Sequence, residues 1–281
     1  MKQALFSLTA AASVALTGAA SAAITVDGSL GGGEYGPALS VQTINTQFGD
    51  NETELNAAFG QVASGALELL VTGNVQQNGN RIYLFLDTAA GGSSTLAAAG
   101  GDFDLDQIQG NVLDIAPEFM FVINEQFGSV NARLIDLSDG SQVFASDLTG
   151  DVNAGAGTAS GAGFSVALNN TNSAGVGGGS GEPDANALTA TTGLELSIDL
   201  TSLGSPTQDI NITAASGSFD GFFSNQVLGS LPDNTGNLGN GGFDLSTIAG
   251  DQFFTVAIPE PASLALVGMG ALAMLGRRRS A

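Results

Sequence analysis

The segment LELSID, residues 194–199, alternates apolar and polar side chains, and this alternation decides the fold class of the chain. Leu194, Leu196 and Ile198 fall on one face of an extended segment, whereas Glu195, Ser197 and Asp199 fall on the other. A period of two predicts a β-strand with one face in a core and one in water. Seven further short segments bounded by Gly, Asn or Asp also predict strands: LELLVTG, RIYLFLD, EFMFVIN, VNARLIDL, GFSVAL, INITAA and QFFTVAI.

About ten such strands predict an all-β fold, an antiparallel β-sandwich of jelly-roll-like type. Only the segment NETELNAAFGQV, residues 51–62, predicts a helix. In GNVQQNGNR, residues 73–81, the pair Asn78-Gly79 predicts a tight hairpin turn. The glycine-rich stretch 169–184 fits either a linker between two domains or a surface loop. We favour the loop, because strands of the same type lie on both sides, and expect one acidic sandwich domain over residues 23–257.

Composition excludes several classes of site. The chain has no Cys and no His, which rules out disulfides, Cys nucleophiles, zinc sites with Cys or His ligands and Ser-His-Asp triads. Between the two ends, Arg81 and Arg133 stand against 26 carboxylates, a net charge of −24. A field of this sign repels nucleic acid, so we expect no nucleic-acid partner.

Both ends of the chain have the pattern of targeting segments. Residues 1–22 combine Lys2, an apolar stretch and small residues at Ala20 and Ala22, which predicts a secretory signal helix removed by signal peptidase. At the other end, residues 258–281 contain Pro259-Glu260-Pro261, an apolar run over 262–276 and three arginines, Arg277, Arg278 and Arg279. The run predicts a short transmembrane helix, and the arginines are expected to stay cytoplasmic.

The C-terminal triplet, apolar run and arginine cluster together resemble the PEP-CTERM sorting signal of Gram-negative bacteria. This resemblance implies recognition by an exosortase, a membrane transpeptidase-like enzyme. It also implies a transient inner-membrane anchor followed by delivery to the cell surface or to an extracellular matrix of exopolysaccharide. A plain membrane anchor is the alternative. Two prolines in three residues cannot continue a helix, so they favour an extended segment that a protease can bind.

The middle of the chain carries two further resemblances. ITVDGSLGGGEYG and TGLELSIDLTSLG resemble strands of family 9-like carbohydrate-binding modules and of the related DOMON-like sandwiches. Longer segments, including FFSNQVLGSLPDNTGNLG, are similar to segments of uncharacterised exported PEP-CTERM proteins. The first resemblance implies a carbohydrate ligand, and the second implies fold and location without an activity.

Two groups of residues are candidates for ligand binding. Tyr35 lies in a glycine-rich turn and could be an exposed platform for a sugar ring, although we favour a structural role for its ring. Tyr83, in an apolar strand, is expected in the core. Asp102, Asp104 and Asp106 alternate with apolar residues, so in an extended segment they would share one face and could bind calcium. The alternative, which we favour, is a charged strand edge that discourages strand addition.

These patterns predict no catalytic residue. We therefore expect a non-enzymatic exported protein of the cell surface or matrix, handled by the secretion machinery, signal peptidase and an exosortase. The alternative is a carbohydrate-binding module that acts on exopolysaccharide. A glycosidase is a third and weaker hypothesis, because no carboxylate pair stands out among the 26 acids.

Overall fold

The computed structural model describes residues 23–126, 128–229 and 231–259. Fourteen strands follow one another along this part of the chain: β1 (Ser40–Val41), β2 (Glu54–Ala63), β3 (Ala66–Asn74), β4 (Arg81–Asp87), β5 (Phe119–Gln126), β6 (Ser129–Asp136), β7 (Gln142–Asp147), β8 (Gly157–Gly161), β9 (Phe164–Leu168), β10 (Gly193–Asp199), β11 (Ile210–Gly217), β12 (Phe222–Leu228), β13 (Gly239–Asn240) and β14 (Phe254–Val256). The α-helix of the described residues is α1 (Phe103–Ile108), and three 3₁₀ turns cover Ala187–Thr189, Leu200–Leu203 and Leu245–Thr247.

The strands form two antiparallel sheets. The six-stranded sheet has the order β1-β2-β3-β10-β9-β8. The eight-stranded sheet has the order β13-β12-β11-β4-β5-β6-β7, and β14 pairs with the free half of β11. The predicted all-β sandwich is therefore confirmed. The expected signal helix and transmembrane helix lie outside the described residues.

The main core lies between the two sheets and follows the predicted alternation. Leu194, Leu196 and Ile198 of β10 point into it, and Leu84 and Phe121 meet them from the eight-stranded sheet. Burial of these apolar side chains is the principal stabilising contribution to such a fold.

A second apolar cluster covers the outer face of the eight-stranded sheet. Tyr83 and Phe85 alternate with the inward residues of β4, and their rings stack with centroids 6.0 Å apart. Leu105 and Ile108 of α1 pack onto this face, so β4 is buried on both sides. The expectation that Tyr83 is a core residue is confirmed.

The prediction of a helix over residues 51–62 is wrong, because Glu54–Ala63 is strand β2, paired with β1 and β3. A bulge at Asn56 shifts the register, so that Leu55 and Ala58 face the main core while Ala57 and Phe59 face the opposite side. Both faces are covered, and pairing on both edges outweighs the helical propensity of the Ala, Glu and Gln residues.

The hairpin predicted at Asn78-Gly79 is also wrong, although a turn occurs there. Gly79 has φ +90°, which suits glycine. The strands on either side belong to different sheets, since β3 pairs with β2 and β10 while β4 pairs with β11 and β5. The turn therefore carries the chain across the core from one sheet to the other.

The glycine-rich stretch 169–184 connects two strands of one sheet. β9 precedes it, β10 follows it, and the two pair directly from Leu194↔Leu168 to Ile198↔Phe164. The loop is held along its length, for example by bridges of Thr46 to Gly178 and of Ile44 to Pro183. The strands on both sides of the stretch thus share one sheet.

Replacement of Leu196 by Ala should lower the free energy of unfolding by about 2–5 kcal/mol, because it leaves a cavity between the sheets. The matched control is Leu188→Ala, since Leu188 is 57% exposed; we expect a change below about 0.5 kcal/mol. Denaturant unfolding of the purified protein measures both. Equal effects of the two substitutions would contradict the position of Leu196 in the core.

Candidate functional site

The C-terminal segment leaves the sandwich directly from a core strand. β14 pairs with the start of β11 in the register Ile210↔Val256 and Ile212↔Phe254. Phe254 and Val256 are buried in the main core. Opposite them, the absence of a side chain at Gly60 makes room for Val256, because a Cβ at Gly60 would lie 3.1 Å from Val256 Cγ2.

The two residues after β14 are also held against the domain. The Ile258 amide donates a hydrogen bond to Asp209 Oδ1 over 2.9 Å, and the Ile258 side chain packs on the main core. Pro259 is exposed. Since an extended chain spans at most about 3.6 Å per residue, Pro259 lies within roughly 11 Å of Val256. We call residues 257–259 the sorting junction.

The remaining residues of the predicted sorting motif lie outside the described residues: Glu260, Pro261, Arg277, Arg278 and Arg279. Within the part of the chain that the structure describes, no helix is long and apolar enough to cross a membrane.

The segment with the three candidate calcium ligands is helical, so the expectation of an extended segment was wrong. Asp102 is the N-cap of α1, and its Oδ1 accepts hydrogen bonds from the amides of Asp104 at 3.0 Å and Leu105 at 3.2 Å. An Asp at this position satisfies amides at the helix start that have no intrahelical partner, which favours the helix over a strand.

In the helix, Asp102 and Asp104 pair with the two arginines of the described residues, and Asp106 does not join them. Arg81 Nε lies 2.5 Å from Asp104 Oδ1, and Arg133 Nη1 lies 2.5 Å from Asp102 Oδ2. Arg133 Nη2 also contacts Asp104, whereas Asp106 is exposed. Among the described residues, no group of three or more Asp or Glu side chains is arranged to hold a metal ion. The geometric reason for expecting calcium at this segment is therefore removed.

Tyr35, the candidate sugar platform, is half-buried and engaged with the sheet. Its ring packs beside Phe59 with centroids 6.4 Å apart, and its hydroxyl donates a hydrogen bond to Glu195 Oε1 over 2.9 Å. Burial, and next the charge of Glu195, raise the pKa of Tyr35. These contacts place Tyr35 in the covering of the six-stranded sheet.

Glu195 was expected in water but is fully buried. Its Oε2 accepts hydrogen bonds from the amides of Asp27 and Gly28, each at 2.8 Å. The N-terminal segment of the described chain thus folds over the outer face of β10. Burial raises the pKa of the Glu195 carboxyl, and these hydrogen bonds offset only part of that shift.

A cleft of about 480 Å³ lies at one end of the sandwich, and no pattern in the sequence indicated it. We call it the end cleft. Its lining combines apolar side chains with two carboxylates: Leu96, Phe119, Leu137, Leu203, Glu118 and Asp136. These residues come from four separate segments, so only the fold brings them together.

Comparison with known proteins identifies one segment. Residues 257–279 match the model of the PEP-CTERM protein-sorting motif. No curated protein and no solved structure matches the chain. The predicted likeness to family 9-like carbohydrate-binding modules and DOMON-like sandwiches therefore stays a prediction, whereas the sorting motif is confirmed. The match to the sorting motif supports an exported protein that an exosortase sorts.

The Glu195→Gln substitution should weaken the pH dependence of stability. Because burial raises the pKa of Glu195 above its ordinary value of 4.5, the folded state binds this proton more tightly than the unfolded state does. The Glu195 carboxyl therefore contributes most to the free energy of unfolding below pH 4.5. This contribution is lost as the pH rises through the pKa of Glu195 in the folded state. Chemical denaturation at several pH values between 4.5 and 7 should show that the free energy of unfolding falls less steeply with pH in the variant than in the parent protein.

The matched control is Glu52→Gln, which removes the same charge at an exposed site. It should reproduce the decrease in overall charge repulsion and leave the pH dependence close to that of the parent protein. If the free energy of unfolding depended on pH in the same way in Glu195→Gln and in Glu52→Gln, that result would contradict the burial of Glu195.

Proposed function

We propose that the chain is a non-enzymatic exported protein of the cell surface or extracellular matrix of a Gram-negative bacterium. The observation that carries the proposal is the match of residues 257–279 to the sorting motif, which begins directly after the last residue of β14, Val256. The folded sandwich is therefore the cargo, and the sorting segment follows it without a spacer.

The proposed route has two processing steps. The secretion machinery exports the chain, and signal peptidase removes residues 1–22. The apolar run over 262–276 then holds the chain in the inner membrane, with Arg277 to Arg279 on the cytoplasmic side. An exosortase acts at Pro259-Glu260-Pro261, outside the membrane, and the sandwich passes to the surface or matrix.

The charge of the sandwich supports a matrix role. Residues 23–259 carry 26 carboxylates and two arginines, and both arginines are paired with Asp102 and Asp104. Such a surface attracts divalent cations, which would link it to acidic exopolysaccharide. The chain also has no His and no Cys, the residue types that most often act as general base or nucleophile.

The carbohydrate-binding alternative has no specific observation in its favour. Tyr35, its candidate platform, is half-buried and hydrogen-bonded to Glu195. A sandwich fold by itself does not imply glycan binding, because folds of this kind carry many functions. We therefore put forward the sorted surface protein alone.

Intact mass spectrometry of protein from membrane and extracellular fractions tests the proposal. We expect an extracellular species that begins at Ala23 and lacks Arg277 to Arg279. Replacing both Pro259 and Pro261 by Ala should relax the extended segment that the enzyme binds and leave the full C-terminus in the membrane fraction.

The matched control is Pro37→Ala, since Pro37 is exposed and lies far from the C-terminus in sequence. It should leave processing unchanged. A native protein that keeps Met1 would refute the removal of residues 1–22. A native protein that keeps Arg277 to Arg279 in every fraction would refute C-terminal processing and leave an ordinary membrane anchor as the function of the C-terminal segment.

A further inference from the structure

The end cleft lies where several strand ends meet. β4 ends at Asp87, and the next residue, Thr88, lines the cleft. Phe119 is the first residue of β5 and pairs with Asp136, the last residue of β6. The turn Leu200–Leu203, which follows β10 of the other sheet, closes the cleft with Leu203. The cleft therefore spans the ends of both sheets.

The walls of the end cleft are mostly apolar and are anchored in the core. Phe119 and Leu203 belong to the main core, and Leu96 belongs to the cluster on the outer face of the eight-stranded sheet. A volume of about 480 Å³ falls within the range of roughly 300–1,000 Å³ that small-molecule sites occupy. The cleft thus fits an apolar molecule of the size of a bicyclic ring.

One wall is fixed by Glu118. Its Oε2 accepts hydrogen bonds from the amides of Thr88 at 2.7 Å and Ala89 at 3.1 Å. Gly92 lies over the other oxygen, because a Cβ there would be 3.0 Å from Glu118 Oε1. Glu118 therefore positions the loop after β4, while its Oε1 is buried and has no hydrogen-bond partner among the described residues.

Asp136 also lines the end cleft, and its carboxylate is half-buried, so it is the acid of the lining that remains partly accessible. Its Oδ1 accepts hydrogen bonds from Ser138, at 2.8 Å from the amide and 2.6 Å from the hydroxyl. Among the described residues, Asp136 Oδ2 has no hydrogen-bond donor. A carboxylate oxygen only accepts, so a molecule bound here would have to bring a donor.

Charge decides the class of that donor. The lining of the end cleft contains two carboxylates and no Lys or Arg. The two arginines of the described chain are held by Asp102 and Asp104 at α1, so no cation is available to neutralise an anionic ligand. An anion would be repelled, whereas a cationic donor would gain a charge-assisted hydrogen bond that Asp136 accepts.

We propose that the end cleft binds a small apolar molecule with a cationic amine: its apolar body lies against Leu96, Phe119, Leu137 and Leu203, and its ammonium group donates a hydrogen bond to Asp136 Oδ2. None of the residues that line the end cleft belongs to the matched segment 257–279. The inference therefore stands whether or not the proposed route is correct.

Three probes of one shape test the site by calorimetric titration of the protein as purified from its host: 1-naphthylmethylamine, 1-naphthylmethanol and 1-naphthoate. The amine should bind most tightly, the alcohol about ten-fold more weakly, and the carboxylate not measurably, since a charge-assisted hydrogen bond is about twice as strong as a neutral one. Equal affinity for the amine and the carboxylate, or no binding of the amine, would overturn the proposal.

Two variants locate the binding. Asp136→Asn keeps an oxygen that accepts from Ser138 and should lower amine affinity about ten-fold without changing alcohol affinity. Ala97→Phe, in the lining, should abolish binding of both by filling the cleft, whereas Ala185→Phe, exposed in a distant loop, should leave it unchanged. Melting temperatures equal to the parent's establish that each variant is folded. Unchanged amine binding in Asp136→Asn or Ala97→Phe would refute the site.

Discussion

Apolar contact between the two sheets is the interaction on which the rest of the structure depends. The sheets have no disulfide to join them, because the chain has no Cys, so side chains such as Leu196 and Phe121 hold them face to face. β14 is part of the same contact through Phe254 and Val256. The matched segment therefore begins directly after a strand of the core, and packing of that strand determines where residues 257–259 start.

The excess of carboxylates imposes the second constraint. With only Arg81 and Arg133 available, most buried acids must be satisfied without a cation. Amide groups take this role: Glu54 Oε1 accepts from Asn56 at 2.9 Å, and Glu125 accepts from Asn153 at 2.9 Å and Asn170 at 2.6 Å. Burial still raises the pKa of Glu54 and of Glu125, because neutral donors compensate desolvation only in part.

Local patterns in the sequence were sufficient to predict strands, as in LELSID and RIYLFLD, but not to predict that both faces of these strands are covered. They failed where tertiary contacts decide. The sequence of β2 predicts a helix, but pairing with its neighbours makes it a strand. The alternation in β10 predicts an exposed Glu195, but residues 27–35 cover it. The three aspartates alternate as in a strand, yet the N-cap at Asp102 starts a helix. The end cleft draws on four segments distant in sequence, so no local pattern indicates it.

The sorting motif follows the core without a flexible spacer, since the matched segment begins directly after β14. Hydrogen–deuterium exchange over residues 252–258 of the purified protein tests it most directly. We expect the amides of β14 to exchange as slowly as those of β11, because the two strands pair and share the main core. Exchange at the rate of an unstructured peptide would mean that β14 is detached and that a flexible tether separates the sandwich from the motif.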